Sequence, residues 1–152
     1  MNSDYLDAFA EIIIEVSKVL GKPITSKDFE IIDRGIPHNP PTKLPKGKNA
    51  VYTFYYPEIK QFLKIGKVGS KSQARFTSQH YNPDSAKSSL AKSLLLDDEM
   101  KNKYLLTEQN IKFWIMNNCR RVDILFDVSL GRFANELCEA ILHYKFEPKY
   151  EG

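Results

Sequence analysis

Apolar residues open the chain at helical spacing: Tyr5, Leu6, Phe9, Ile12, Ile13, Val16 and Leu20 share one broad stripe. The pattern predicts a packing helix capped by Ser3 or Asp4 and stopped at Gly21, with Pro23 beyond. A short second helix is expected around Lys27 to Asp33. In "RGIPHNPPTKLPKGKNA" the prolines and glycines then forbid regular structure for about a dozen residues. His38 sits in that loop and is expected to face solvent.

The period then shortens to two. "AVYTFYY" (50–56) and "FLKIGKV" (62–68) alternate and are rich in β-branched and aromatic residues, so they read as a hairpin turning over Pro57 to Gln61. Ser70-x-x-Gln73 has the form of a capping box for a short helix to about Gln79. Another helix is expected from Asn82, with Pro83 in its first turn and Leu90, Leu94 and Leu95 as its apolar face. "DDEMKNKYLL" extends or follows it as a more exposed helix. "TEQNIKFWIMNNC" fits either a helix or a buried strand, and its two asparagines, a natural stop, favour helix. "RRVDILFDV" (120–128) reads as a strand, and "RFANELCEAILHYKF" as a helix with Phe133, Leu137, Ala140, Ile141 and Tyr144 on its stripe. The outcome is an α/β (α+β) domain: a small three-stranded sheet, mixed or antiparallel, flanked by helices and preceded by an extra N-terminal helix. Residues 1–48 form the helix and proline-rich connector and residues 49–152 the main domain, together one compact unit.

A chain of 152 residues buries about 68 to 70% of its unfolded surface, so no staple is required. Cys119 and Cys138 lack metal-site spacing and are read as reduced packing residues in a cytoplasmic protein. The acidic start of the first helix lacks the form of a signal peptide, and no apolar run reaches the roughly 18 residues of a membrane span. Charge is more informative. Residues 43 to 92 carry ten Lys or Arg against Glu58 and Asp84, a balance of +8, while the remainder of the chain stands at −5. The basic middle segment suits a polyanion-facing surface as well as a merely solvated face.

Tyr52 and Lys64 belong to the two hairpin strands and can share a face. Arg75 and His80 follow in the next helix. A tyrosine, a lysine, an arginine and a histidine converging on one groove suit an anionic substrate whose reaction needs proton transfers. Gly66 and Gly69 permit either a tight exit from the strand or the close approach of a ligand. No P-loop pattern is present, which disfavours nucleotide hydrolysis.

"AVY" at 50–52, followed by "KIG" at 64–66, resembles the paired motifs of the GIY-YIG nucleases; "ARFTSQHY" resembles their arginine helix, and "LCEAILHYKFEPKY" their metal-binding helix with a Pro-x-Tyr segment. The resemblance spans roughly residues 49 to 151. It implies a Mg²⁺- or Mn²⁺-dependent DNA endonuclease, of the compact restriction-enzyme branch or a related one, working as monomer or homodimer without a membrane. Position by position it implies Tyr52 as, or near, the general base, Lys64 in the place of the second motif's tyrosine, and Arg75 as the catalytic arginine. His80 would orient or relay a proton, and Glu139 would bind the divalent ion, with Glu136 in reserve.

Two residues depart from that pattern. Lys64 has no phenol, although a cation near Tyr52 favours phenolate. Glu151 stands where the family carries a neutral polar residue, so it receives no catalytic role. Lys67, Lys71, Lys87 and Lys92, with Lys43, Lys46 and Lys48, are expected on the DNA backbone. Ser72, Thr77 and Ser78, with Ser88 and Ser89, would add hydrogen bonds to phosphate. Two alternatives stay open: a noncatalytic nucleic-acid-binding module that lost its chemistry at Lys64, and a protein-interaction domain using Trp114 or the first helix.

Overall fold

The computed structural model describes residues 4–86 and 88–150, which leaves the expected cap Ser3, Lys87 and Glu151 outside the described residues. Its centre is an antiparallel four-stranded sheet made of β1 (Phe29–Gly35), β2 (Lys48–Tyr56), β3 (Gln61–Val68) and β4 (Arg120–Asp127), in the order β1-β4-β2-β3. Among the described residues six α-helices surround it: α1 (Asp4–Val19), α2 (Gln73–Thr77), α3 (Leu90–Leu96), α4 (Asp98–Tyr104), α5 (Ile111–Asn118) and α6 (Arg132–Phe146). The fold is thus α+β, with the hairpin, the last strand, α1 and the helical choice for α5 as the residue pattern predicts.

The expected three strands become four because the stretch read as a second short helix is β1. Phe29 and Ile31 alternate with Glu30 and stand opposite Phe126 and Ile124, so pairing with the edge of β4 overrides local helix preference. Two more expectations change on the far side of the hairpin. The capping box does not form, since the Gln73 amide instead accepts from the Leu44 N–H at 2.8 Å and donates to the Leu44 carbonyl at 3.0 Å. No helix starts at Asn82, where Asx and Ser85 hydroxyl bonds hold a turn; α3 begins only at Leu90, capped by the Ser89 hydroxyl.

The two faces of the sheet carry separate cores. On one, Ala50, Tyr52, Phe54 and Tyr56 pack with Leu90, Leu94 and Ile115. On the other, Val51, Phe62 and Ile65 meet Phe9 and Ile13 of α1 and Cys138 and Leu142 of α6. The stripe expected for α6 is rotated: Phe133 and Tyr144 are 66% and 91% exposed, because Cys138 and Leu142 are the residues in register with the sheet. Leu20, placed on the stripe of α1, lies past its last turn and is exposed. Both cysteines are free and buried. Among the described residues no helix is long and apolar enough to cross a membrane.

Candidate functional site

Tyr52 occupies the centre of the sheet, opposite Gly66 of β3 on one side and Asp123 of β4 on the other. Its ring crosses the Cα of Gly66 so closely that an added Cβ there would lie 2.5 Å from the tyrosine Cζ. Only a glycine leaves that space. Gly69 has no such duty, since a Cβ at that position would meet its nearest neighbour, the Asn49 amide oxygen, at 4.0 Å. Lys64 stands opposite Phe54 and therefore diagonal to Tyr52 on the same face, where it is buried.

The segment after β3 brings Arg75 and His80 to this face. Arg75 projects from α2 and lines an open cleft of about 540 Å³ with Lys71, Ser72, Gln73 and Gln79. His80 lies in the 3-10 turn Gln79–Tyr81, its ring centroid 4.5 Å from that of Tyr52. Its Nδ1 accepts the Leu90 N–H at 3.1 Å, so the ring proton belongs on Nε2, which is buried and has no hydrogen-bond partner among the described residues. Burial, reinforced by the positive charges of Arg121, Lys64 and Arg75, pushes the His80 pKa down to about 3. His80 is consequently a neutral, fixed donor.

The pKa of Tyr52 is pushed up to about 12, chiefly by burial; Arg75 and Arg121 pull it down and Glu139 pushes it up. Residues from β2, α2, β4 and α6 are thus within electrostatic reach of one phenol. Glu139 lies one turn before His143, whose Nε2 is 2.6 Å from the Ile65 carbonyl, so this part of α6 rests on β3 beside Gly66. Glu136, a turn earlier, is held 3.4 Å from Lys67. Of the two candidate metal ligands, Glu139 is the one coupled to Tyr52. Among the described residues there is no group of three or more His, Cys, Asp or Glu able to hold a metal. A single hard carboxylate is a donor set that Mg²⁺ and Mn²⁺ accept, since these ions take one or two carboxylates and fill their shell with water and other oxygens.

The expected DNA contacts divide. Lys71 and Ser72 share the Arg75 cleft, and Gln73 joins it to a furrow of about 490 Å³ lined by Lys43, Lys46 and Ser70. Lys67 and Lys48 are turned to Glu136 and Asp127. The Thr77 and Ser78 hydroxyls donate to the Gln73 and Ala74 carbonyls of their own helix. Lys92 is half-buried in the first turn of α3.

Beneath the site lies a polar network absent from the expectations. Arg121 and Asp123 are fully buried on the Tyr52 face of β4 and joined by a 2.9 Å ion pair, and Arg34 of β1 binds the second Asp123 oxygen. His38 is also inside, 4% exposed, which corrects its solvent-facing assignment. Its Nδ1 lies 2.8 Å from the Cys119 carbonyl and its Nε2 2.8 Å from the Tyr81 hydroxyl. The signal available was the spacing Arg121-x-Asp123 within a strand, which puts both charges on one face. Comparison with family models, with curated proteins and with solved structures gave no match.

Proposed function

We propose that this chain is a metal-assisted DNA endonuclease of the GIY-YIG type. The observation that carries the reading is the setting of one buried phenol: Tyr52 lies across the bare Cα of Gly66, packs 4.5 Å from the His80 ring and shares its sheet face with Lys64. Phosphodiester hydrolysis needs an aligned water, stabilised phosphorane charge and a stabilised leaving oxygen. Tyr52 as phenolate takes a proton from the attacking water, whose oxygen forms the new P–O bond as the P–O3′ bond breaks. Arg75 holds the non-bridging oxygens with its planar fork of donors. Arg75 and Arg121 supply positive charge that favours the phenolate, and Lys64 adds its charge on the same sheet face beside His80. His80, with Nδ1 committed to Leu90 and Nε2 buried, positions the Tyr52 ring that it packs against at 4.5 Å; a relay would need both nitrogens.

Glu139 would hold a divalent ion, whose chemistry when bound would be Lewis-acid stabilisation of the leaving oxygen. The duplex would approach along the Lys43, Lys46 and Lys71 furrow, in contacts that position a backbone and read no base. Incubation of the purified protein with supercoiled plasmid and Mg²⁺ tests the reading: nicked or linear product supports it, and sequencing the ends separates site-specific restriction from nicking at irregular structures. Salt-sensitive binding with intact plasmid would instead support the noncatalytic module, the reading that Lys64 favours by replacing a motif tyrosine.

A further inference from the structure

Arg121 has no exposed surface, and each nitrogen of its guanidinium has a separate target. Nε donates to Asp123 Oδ1 at 2.9 Å, Nη1 to the Tyr81 hydroxyl at 3.0 Å, and Nη2 to the Phe76 carbonyl at 2.8 Å. Phe76 follows Arg75 directly and Tyr81 follows His80. One side chain therefore binds the residue next to each of two proposed site residues, while its own strand neighbour Asp123 stands opposite Tyr52. We infer that Arg121 is a positioning residue that fixes Arg75 and His80 against Tyr52. The clamp is a matter of geometry; its consequence for turnover rests on the nuclease reading.

Three features favour this over a bulk contribution to folding. First, α2 has only five residues, and such a short helix is poorly held by its own hydrogen bonds. The Phe76 carbonyl lies in its last turn, where helix carbonyls lack partners, and Arg121 supplies one. Second, the bonds run on in one direction: Arg121 donates to the Tyr81 oxygen, Tyr81 donates to His38 Nε2, and His38 Nδ1–H donates to the Cys119 carbonyl. The 3-10 turn is thereby tied both to β4 and to the residue preceding it. Third, a buried ion pair is a weak source of stability compared with apolar side chains of the same volume, whereas its directed bonds select one geometry. Arg34 and Arg121 share the single carboxylate of Asp123, so this layer also keeps one excess positive charge beneath the site.

The test compares Tyr81→Phe with Thr53→Val. Each removes one buried hydroxyl, but Thr53 bonds only the Val122 carbonyl and lies outside the site. In Tyr81→Phe the amides of Ser78, Tyr81 and Asn82 should exchange with solvent at least tenfold faster relative to those of β2, and kcat for plasmid cleavage should fall at least tenfold with KM within about twofold. Thr53→Val should change neither ratio. Arg121→Lys, which keeps the charge and gives up the fork, should lose at least as much turnover as Tyr81→Phe. Unchanged exchange in Tyr81→Phe overturns the clamp, and loosened exchange with wild-type kcat overturns its positioning role. Should the wild-type protein leave all DNA intact, the nuclease reading fails by itself, and the exchange comparison still decides the clamp.

Discussion

The phenol of Tyr52 lies across the bare Cα of Gly66, so the conformation of the proposed base depends on the absence of a side chain on the next strand. Gly66→Ala forces the ring away, an overpacking expected to cost about 2 kcal/mol and to remove cleavage even where the protein stays folded. Gly69→Ala has room and should stay within about 0.5 kcal/mol of wild type with full activity. Urea unfolding beside a plasmid assay measures both.

The two α6 carboxylates should separate cleanly. Glu139→Gln is expected to lower cleavage by about 100-fold or more and to abolish its dependence on Mg²⁺ concentration. Glu136→Gln breaks only the half-exposed pair with Lys67 and should leave cleavage within about twofold. A metal titration of each variant's rate shows the difference.

A phenol at about 12 is almost wholly protonated at neutral pH. Since only the phenolate accepts the proton of water, the single-turnover rate should rise about tenfold per pH unit between roughly pH 7 and 9. In Tyr52→Phe the residual rate should lack that slope. Rates measured in constant-ionic-strength buffers test this.

Acid stability follows from the buried histidines. His38 is pushed down to about 4 by burial, against the opposing Cys119 bond, and His80 to about 3 by burial and neighbouring cations. Both titrate near 6.5 in the unfolded chain, which therefore binds more protons than the folded chain over the interval below that value. Stability is full above about pH 6.5 and should fall below it, by about 1.4 kcal/mol per pH unit for each histidine, until about pH 4 for His38 and about pH 3 for His80. Urea midpoints at successive pH values should show this slope, and His38→Gln should roughly halve it.

Much of the framework was legible because the hairpin, helix α1 and strand β4 carry clear periods of two or 3.6, although the hairpin register shifts between Phe54 and Tyr55. Strand β1 was not, since "FEIIDRG" becomes extended only through pairing with β4, a contact remote in sequence. That Tyr52 and Lys64 share a face, with His80 packed on Tyr52, followed from strand alternation and a short connection; Arg75 lies in the adjoining open cleft. The Arg121 network escaped because charge in a strand reads as solvent-facing until a third layer covers it. Similarly, His38 looked like an ordinary loop residue until the turn carrying Tyr81 closed over it.

The claim of catalysis is most directly tested by measuring duplex binding and Mg²⁺-dependent cleavage side by side for wild type, Tyr52→Phe and Arg75→Ala. Arg75 is exposed, so its loss should leave the unfolding free energy within about 0.5 kcal/mol of wild type. A nuclease site predicts cleavage by the wild type, a loss of about 100-fold or more in each variant, and binding weakened far less than cleavage. Intact DNA with folded wild-type protein, or variants that cut at the wild-type rate, would contradict it.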